Sequence, residues 1–292
     1  MQRNNIKDQL QLHFIVLIWG FTAILVALIP LNAIPLVWFR VGIASLTIFV
    51  FAKFRKIDLK IDKLTFVRFF VGGVLIALHW ATFFYAIKVS TISITLVTMS
   101  SSAIFVVFLE PLFSDKKIKL YELLLASIAI IGFIVIFKVE QLYVKGILSA
   151  LASSILLAVF SIYNNRLTRK HKAIHISFYE LLSAFLFLTV MMLISNTFSQ
   201  IAIKMTNYEI LFLIILSTVA TAYPFVIATD LLKKMGSFTL LLTNNLEPVY
   251  GIILALIIFG DKEKMSTQFY IGAFIVFCSV VINSVLKSKI IK

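Results

Sequence analysis

Gly236-Ser237-Phe238-Thr239-Leu240-Leu241-Leu242-Thr243-Asn244-Asn245-Leu246-Glu247-Pro248-Val249-Tyr250 is the stretch on which the reading of this chain turns. Moved back by about 145 residues, it lies on Thr91 to Phe105, with Glu247-Pro248 opposite Ser102-Ala103. Just before it, Thr229-Asp230-Leu231-Leu232-Lys233 falls on Phe84-Tyr85-Ala86-Ile87-Lys88, and further out Asn164-Asn165 falls on Trp19-Gly20. With a gap of about five residues in one loop, Ser177-Phe178-Tyr179-Glu180 also matches Val37-Trp38-Phe39-Arg40. The second half of the chain therefore repeats the first.

Ten apolar segments fill the chain, at roughly 11–30, 33–52, 66–87, 91–113, 119–138, 144–163, 175–194, 208–230, 236–259 and 267–287. Each is close to the ~20 residues that a helix needs to cross hydrocarbon. Five crossings per half turn the second copy upside down relative to the first. The expected fold is an all-α integral membrane protein of ten transmembrane helices, built as two inverted five-helix repeats, 11–138 and 144–287, around a central cavity. Inverted repeats that meet at a midplane site are a common architecture for moving a solute by alternating access.

Composition agrees. Hydrophobic residues make up 61% of the 292 and charged residues 14%, where a soluble domain carries about 25% charged residues. The net charge of +14 does not point to nucleic acid, because the basic residues sit in short loops between apolar runs. Twenty of the 27 Lys and Arg fall on one set of loops: the N-terminus, 53–68, 116–119, 166–172, Lys233-Lys234 and the C-terminus. Six fall on the opposite set, and Arg40 lies inside a span. By the positive-inside rule both termini are expected in the cytoplasm, the protein being multi-pass in the cytoplasmic (inner) membrane. The first apolar run is too long for a signal-peptide core and reads as a retained helix. Cys278 is the single cysteine, which excludes an internal disulfide or a thiolate cluster. No metal site, cofactor, Walker sequence or HExxH pattern is present.

The order and spacing of several short motifs resemble the drug/metabolite transporter superfamily, in its EamA-like ten-helix branch. They are Trp19-Gly20, Trp38-Phe39-Arg40, the Tyr85-Ala86 to Ser90 turn, Leu246-Glu247-Pro248, Gly260-Asp261 and Gly272. Where that family often has proline in helix 4, this chain has Ala103, while Pro248 stands at the matching place in helix 9. A second Leu-Glu-Pro, Leu109-Glu110-Pro111, lies further along helix 4, and Glu110 reads as an interface residue near Lys116 and Lys117. The resemblance implies a cavity lined by helices 1–4 and 6–9; helices 5 and 10 carry few polar residues and are expected at the periphery, available for dimerisation. Its members move amino acids, metabolites, nucleotide sugars and toxic cations, so it implies a mechanism class rather than a solute.

Ionisable groups at membrane depth are costly and face the protein interior or a cavity by default. Glu247 is the sharpest case, because Pro248 frees the carbonyl of Asn244 beside a carboxyl group and the amides of Asn244 and Asn245. His79 at mid-helix suits proton exchange or carboxylate binding. The expected solute-binding set is Trp19, His79, Phe83, Met99, Ser102, Tyr163, Asn164, Tyr223, Asn244, Asn245 and Glu247. Arg40, Glu180 and Glu247 are the expected gating or coupling groups; Arg40 and Glu180 hold matching places near opposite faces, so they should not pair. Trp38, Tyr121, Tyr143, Tyr208 and Tyr270 read as interface anchors, and Gly132 and Gly272 as helix contacts. The expected function is secondary transport of a small amino-acid-like or amphipathic solute, with export the favoured direction, a coupling proton, and a monomer or homodimer. A structural or regulatory membrane subunit, or a membrane-embedded lipid-modifying enzyme, are the alternatives.

Overall fold

The computed structural model describes residues 6–113, 120–139, 141–200 and 205–290. Among them every regular element is helical, as lipid demands of a chain with no water to satisfy its backbone. The first half supplies α1 (Ile6–Leu28), α2 (Ala33–Phe54), α3 (Lys63–Val89), α4 (Ile92–Met99), α5 (Ser102–Phe113) and α6 (Leu120–Val139). The second supplies α7 (Val144–Thr168), α8 (Ala173–Ile194), α9 (Asn207–Ser217), α10 (Tyr223–Asn244), α11 (Glu247–Phe259) and α12 (Thr267–Ile290). The first helix starts more than a turn before position 11. The lysines expected beside Glu110, Lys116 and Lys117, lie outside the described residues.

Seven helical segments of the described residues are long and apolar enough to cross a membrane. The last of these runs for 57 residues, Asn207–Glu263. At about 1.5 Å per residue it is far too long for one crossing, and Gly236 breaks it with φ 81° and ψ 163°, a region open almost only to glycine. Two shorter apolar stretches, Leu124–Ile136 and Thr267–Ser279, lie in α6 and α12.

Two of the expected spans are interrupted. The 91–113 segment breaks at Ser100-Ser101 and the 236–259 segment at Asn245-Leu246, matching positions in the two copies. In the second copy Pro248 explains the break, since its ring excludes the carbonyl of Asn244 from a helical bond. The first copy has Ala103 and breaks by other means. There the amides of Ser100 and Ser101 bond three residues back, to Val97 and Thr98, both at 3.1 Å. The Ser101 hydroxyl adds a 2.8 Å bond to the Thr98 carbonyl, a back-bond that bends helices. Serines thus do in one repeat what proline does in the other.

A third irregularity is the π-helical turn Thr218–Ala222 joining α9 to α10. Pro224 follows it and has no N–H to offer Ala220. Loosening this turn presents the Thr221 hydroxyl sideways, where it accepts a 2.6 Å bond from Arg40 Nε.

The two repeats interleave: α3 packs on α7 and α8, α2 on α8, and α1 on α10 and α11. Close approaches at glycine make this possible. A Cβ added at Gly73 would lie 2.5 Å from the Glu180 carbonyl, and one at Gly20 would lie 2.9 Å from Tyr250 Cβ. α6 and α12 pack chiefly on each other, crossing where Gly132 and Gly272 each bring a carbonyl oxygen to 2.9 Å of the other's would-be Cβ. Trp38 is half-buried rather than a simple interface anchor. Its indole donates to Thr189 at 2.8 Å and stacks on Phe185, joining α2 to α8.

Glu263, which carries no motif, closes the α4 N-terminus. Its carboxylate accepts from the amides of Ile92 and Ser93 at 2.9 and 3.0 Å, and from the Ser93 hydroxyl at 2.9 Å. A carboxylate satisfies the orphan N–H groups of a helix start and complements its dipole. The contact ties the hairpin after α11 to the first repeat.

Candidate functional site

Where the broken helices meet, the two repeats enclose a cavity of about 100 Å³, several times the roughly 10–15 Å³ that one water needs. Its walls come from α1, α2, α3 and α4 of the first repeat and α7, α10 and α11 of the second. Eight of the residues expected to act line it: Trp19, Arg40, His79, Phe83, Met99, Asn164, Asn244 and Glu247.

Arg40 is almost fully buried, 1% exposed. Beyond its bond to Thr221, its guanidinium sits over the Trp80 ring at 4.2 Å and the Phe84 ring at 5.1 Å. Such cation–π contacts stabilise a desolvated cation by about 2 kcal/mol or more. Glu247 lies on the same cavity wall. Asn244, three residues before Glu247, lines the same wall. One chamber therefore carries a cationic group, a carboxyl group and two carboxamides.

His79 is held from α7. Its Nδ1 lies 2.8 Å from the Ser153 hydroxyl and 3.0 Å from the Ser153 carbonyl, while that hydroxyl also reaches the His79 carbonyl at 2.8 Å. Donation from Nδ1–H to the Ser153 carbonyl fixes the tautomer and leaves Nε2 as the nitrogen available to a solute. The ring stacks on Phe83 at 6.1 Å.

Five buried polar atoms on this wall have no hydrogen-bond partner: Thr22 Oγ1, Arg40 Nη1, Ser161 Oγ, Asn164 Oδ1 and Asn244 Oδ1. Buried polar groups are nearly always paired, so five converging on one chamber mark it as a place for a polar ligand or water. Against them stand apolar walls of Trp19, Trp80, Phe83, Phe160 and Phe225. The combination of many apolar and few placed polar groups is typical of small-molecule sites.

The remaining expected residues lie elsewhere. Glu180 is fully buried on α8, which contributes nothing to the wall. It packs against Gly72 and accepts a 3.0 Å bond from Asn164 Nδ2. It is thus one residue behind the cavity, reached through Asn164. Tyr163 turns away, its hydroxyl donating to the Arg68 carbonyl at 2.9 Å. Tyr223 is 45% exposed and meets Phe14 edge-on at the outer surface. Ser102 is buried beside the break in the first repeat, and Asn245 caps α10 with its Nδ2 unpartnered; neither lines the chamber. Tyr163 and Tyr223 project from a different face of their helices than the cavity-lining Asn164 and Phe225.

Several wall residues carry no motif of their own. Thr22 and Ser161 lie three residues from Trp19 and Asn164, so helical spacing alone extends those faces. Trp80, Phe160 and Phe225 have no such signal among so many aromatics. Among the described residues no His, Cys, Asp and Glu cluster could hold a metal ion.

If the chamber is reached from water, cysteine at Trp19 or His79 should react with a small hydrophilic thiol reagent, and cysteine at Ser102 or Asn245 should not. Equal labelling at all four positions would refute the assigned wall.

No curated protein matches the chain. A solved structure titled "Crystal structure of protein" superposes with a TM-score of 0.70 at 14% identity, covering 97% of this chain and 99% of that one. It shows a shared fold. The family model described as "EamA-like transporter family" matches twice, over residues 10–138 and 144–285, one match per repeat. With both halves matched and a chamber between them, the chain belongs to the EamA-like transporter family, as a multi-pass membrane protein of two repeats that works in lipid on small solutes.

Proposed function

We propose that the protein is a secondary transporter that carries a small zwitterionic, partly apolar solute across the cytoplasmic membrane by alternating access. The observation that carries this reading is the chamber in which Arg40 and Glu247 share a wall with five aromatic side chains. A guanidinium suits a carboxylate, the Glu247 carboxyl suits an ammonium group, and the rings suit an apolar side chain. An amino-acid-like solute uses all three, with export the favoured direction.

Ten crossings follow if the 207–263 segment is divided at Gly236 and α6 and α12 are counted as spans. With both termini in the cytoplasm, the basic loops then fall on the inner face. The breaks at Ser100-Ser101 and Asn245-Leu246, with the π turn before Pro224, are the natural hinges for rocking the repeats. They lie at the level of the solute, where strain in discontinuous helices commonly serves transport. Glu247, partly open to the chamber, is the proposed proton-coupling group. Arg40 is its counter-charge and a gate, and Glu180 acts on the cavity only through Asn164.

Purified protein in sealed liposomes tests this directly. Labelled zwitterionic solutes should accumulate by counterflow and leave chemically unaltered. Glu247→Gln should keep exchange but lose its acceleration by a pH gradient. Gradient-driven uptake unchanged in that variant removes the coupling role, and the absence of any flux in wild type removes the transport reading.

A further inference from the structure

Away from the chamber, the loop between α2 and α3 and the turn between α7 and α8 frame a second depression, of about 710 Å³. Lys56, Lys60, Lys170 and Lys172 line it together with His171 and His175. Its two acids are already engaged: Asp58 Oδ1 accepts from the Lys60 amide at 3.0 Å, and Asp62 accepts from the Thr65 amide and hydroxyl at 2.9 and 2.7 Å. The four lysines outnumber these two carboxylates, so the depression keeps a net positive charge. Burial first, and then the nearby Arg68, hold the His171 imidazole below its ordinary value.

Three features go beyond a loop that merely carries topology charges. Lys172 caps α8 without a side-chain bond, and the first helical amides with a partner are those of His175 and Ile176, to the Lys172 carbonyl. The amides of Ala173 and Ile174 thus face outward at a positive helix end. Next, Lys56 sits at φ 53°. It is the residue after the α2 C-cap, with its amide on Lys53 and that of Ile57 on Ala52. That position ordinarily belongs to glycine, and lysine is held there at a conformational cost. Last, a second depression of about 420 Å³ adjoins the first, shares Ile61 and Asp62 with it, and is walled by Phe66, Val67 and Tyr179. A free phosphate has no use for that apolar extension.

We propose that this paired depression binds an anionic phospholipid, its headgroup phosphate among Lys56, Lys170, Lys172 and the α8 N-terminus, and an acyl chain along Phe66 and Val67. Basic pockets between membrane helices on the cytoplasmic side commonly take such headgroups. The assignment depends on the orientation proposed above for these loops, but not on the transport reading.

The test uses the full-length protein in a neutral detergent and reads thermal stability, since a ligand of the folded state raises the melting point. Dioctanoyl phosphatidylglycerol should raise it clearly more than dioctanoyl phosphatidylcholine, and glycerol 3-phosphate should leave it unchanged. Lys56→Gly relieves the backbone cost, so it should melt higher than wild type while losing about half or more of the phosphatidylglycerol increment. Lys170→Gln with Lys172→Gln should lose the increment without that gain. Equal shifts from the two lipids, or a full increment in both variants, would overturn the site. A glycerol 3-phosphate shift matching that of phosphatidylglycerol would overturn its assignment to lipid. Native mass spectra of wild type, counting retained lipids, decide the question even if a variant fails to fold.

Discussion

Arg40→Met should destabilise the protein by about 1.5–3 kcal/mol, the usual worth of a buried hydrogen bond made by a charged group, and should abolish transport. The methionine keeps the aliphatic stem but gives up the bond to Thr221 and the contacts over Trp80 and Phe84. It also removes the guanidinium charge from the wall that carries the Glu247 carboxyl. Arg40→Met combined with Glu247→Gln should therefore recover much of the lost stability and none of the transport. Chemical unfolding of the purified single and double variants gives the coupling energy by a double-mutant cycle. Additive losses would show that the two groups do not sense each other, and a single variant within about 1 kcal/mol of wild type would mean the guanidinium is dispensable.

The second large effect is expected at the crossing of α3 and α8. A Cβ at Gly73 would stand 2.5 Å from the Glu180 carbonyl oxygen, 2.6 Å from Ser183 Cβ and 3.0 Å from the Ala184 amide nitrogen. Two of these three are backbone atoms, so no rotamer change relieves them and the helices must part. Gly73→Ala should cost at or above the upper end of the ~1–3 kcal/mol typical of overpacking. Because α3 carries His79 and α8 carries Glu180, the shift should also disturb the chamber wall. Gly42→Ala is the matched comparison: its Cβ would meet only the Phe185 ring, at 2.9 Å, and a ring can tilt. Similar melting points for the two variants would sink the claim that this crossing is set by backbone contact.

What could be read without coordinates was whatever depends on local chemistry and on period. The all-helical, membrane-embedded class follows from apolar runs near 20 residues, since lipid permits a crossing chain little else. The two-repeat plan follows from the recurrence of Trp38-Phe39-Arg40 as Phe178-Tyr179-Glu180 and of Thr91 to Phe105 as Gly236 to Tyr250. Costly polar groups marked the chamber in outline: Arg40, His79, Asn164, Asn244 and Glu247 all reach it.

Which face of each helix turns inward was decided only by tertiary packing. Asn164 and Tyr163 are neighbours, yet one reaches the cavity and the other the Arg68 carbonyl. A step of about 100° per residue separates them, and the rotation of α7 is set by its contacts with α3. Glu180 matches Arg40 in the repeat but lies behind the wall, because Gly72 and Gly73 let α8 approach α3 closely enough to seal its carboxyl away. The break at Ser100-Ser101 had no proline to announce it, and the bond from Arg40 to Thr221 depends on a π turn whose geometry comes from the whole α9–α10 path. Sequence alone determined the solvent, the helices and the twofold plan, because these rest on composition and spacing along the chain. The chamber's wall, the partner of its buried arginine and the basic depression outside it were decided by helix rotation and close approach, which depend on residues far apart in sequence.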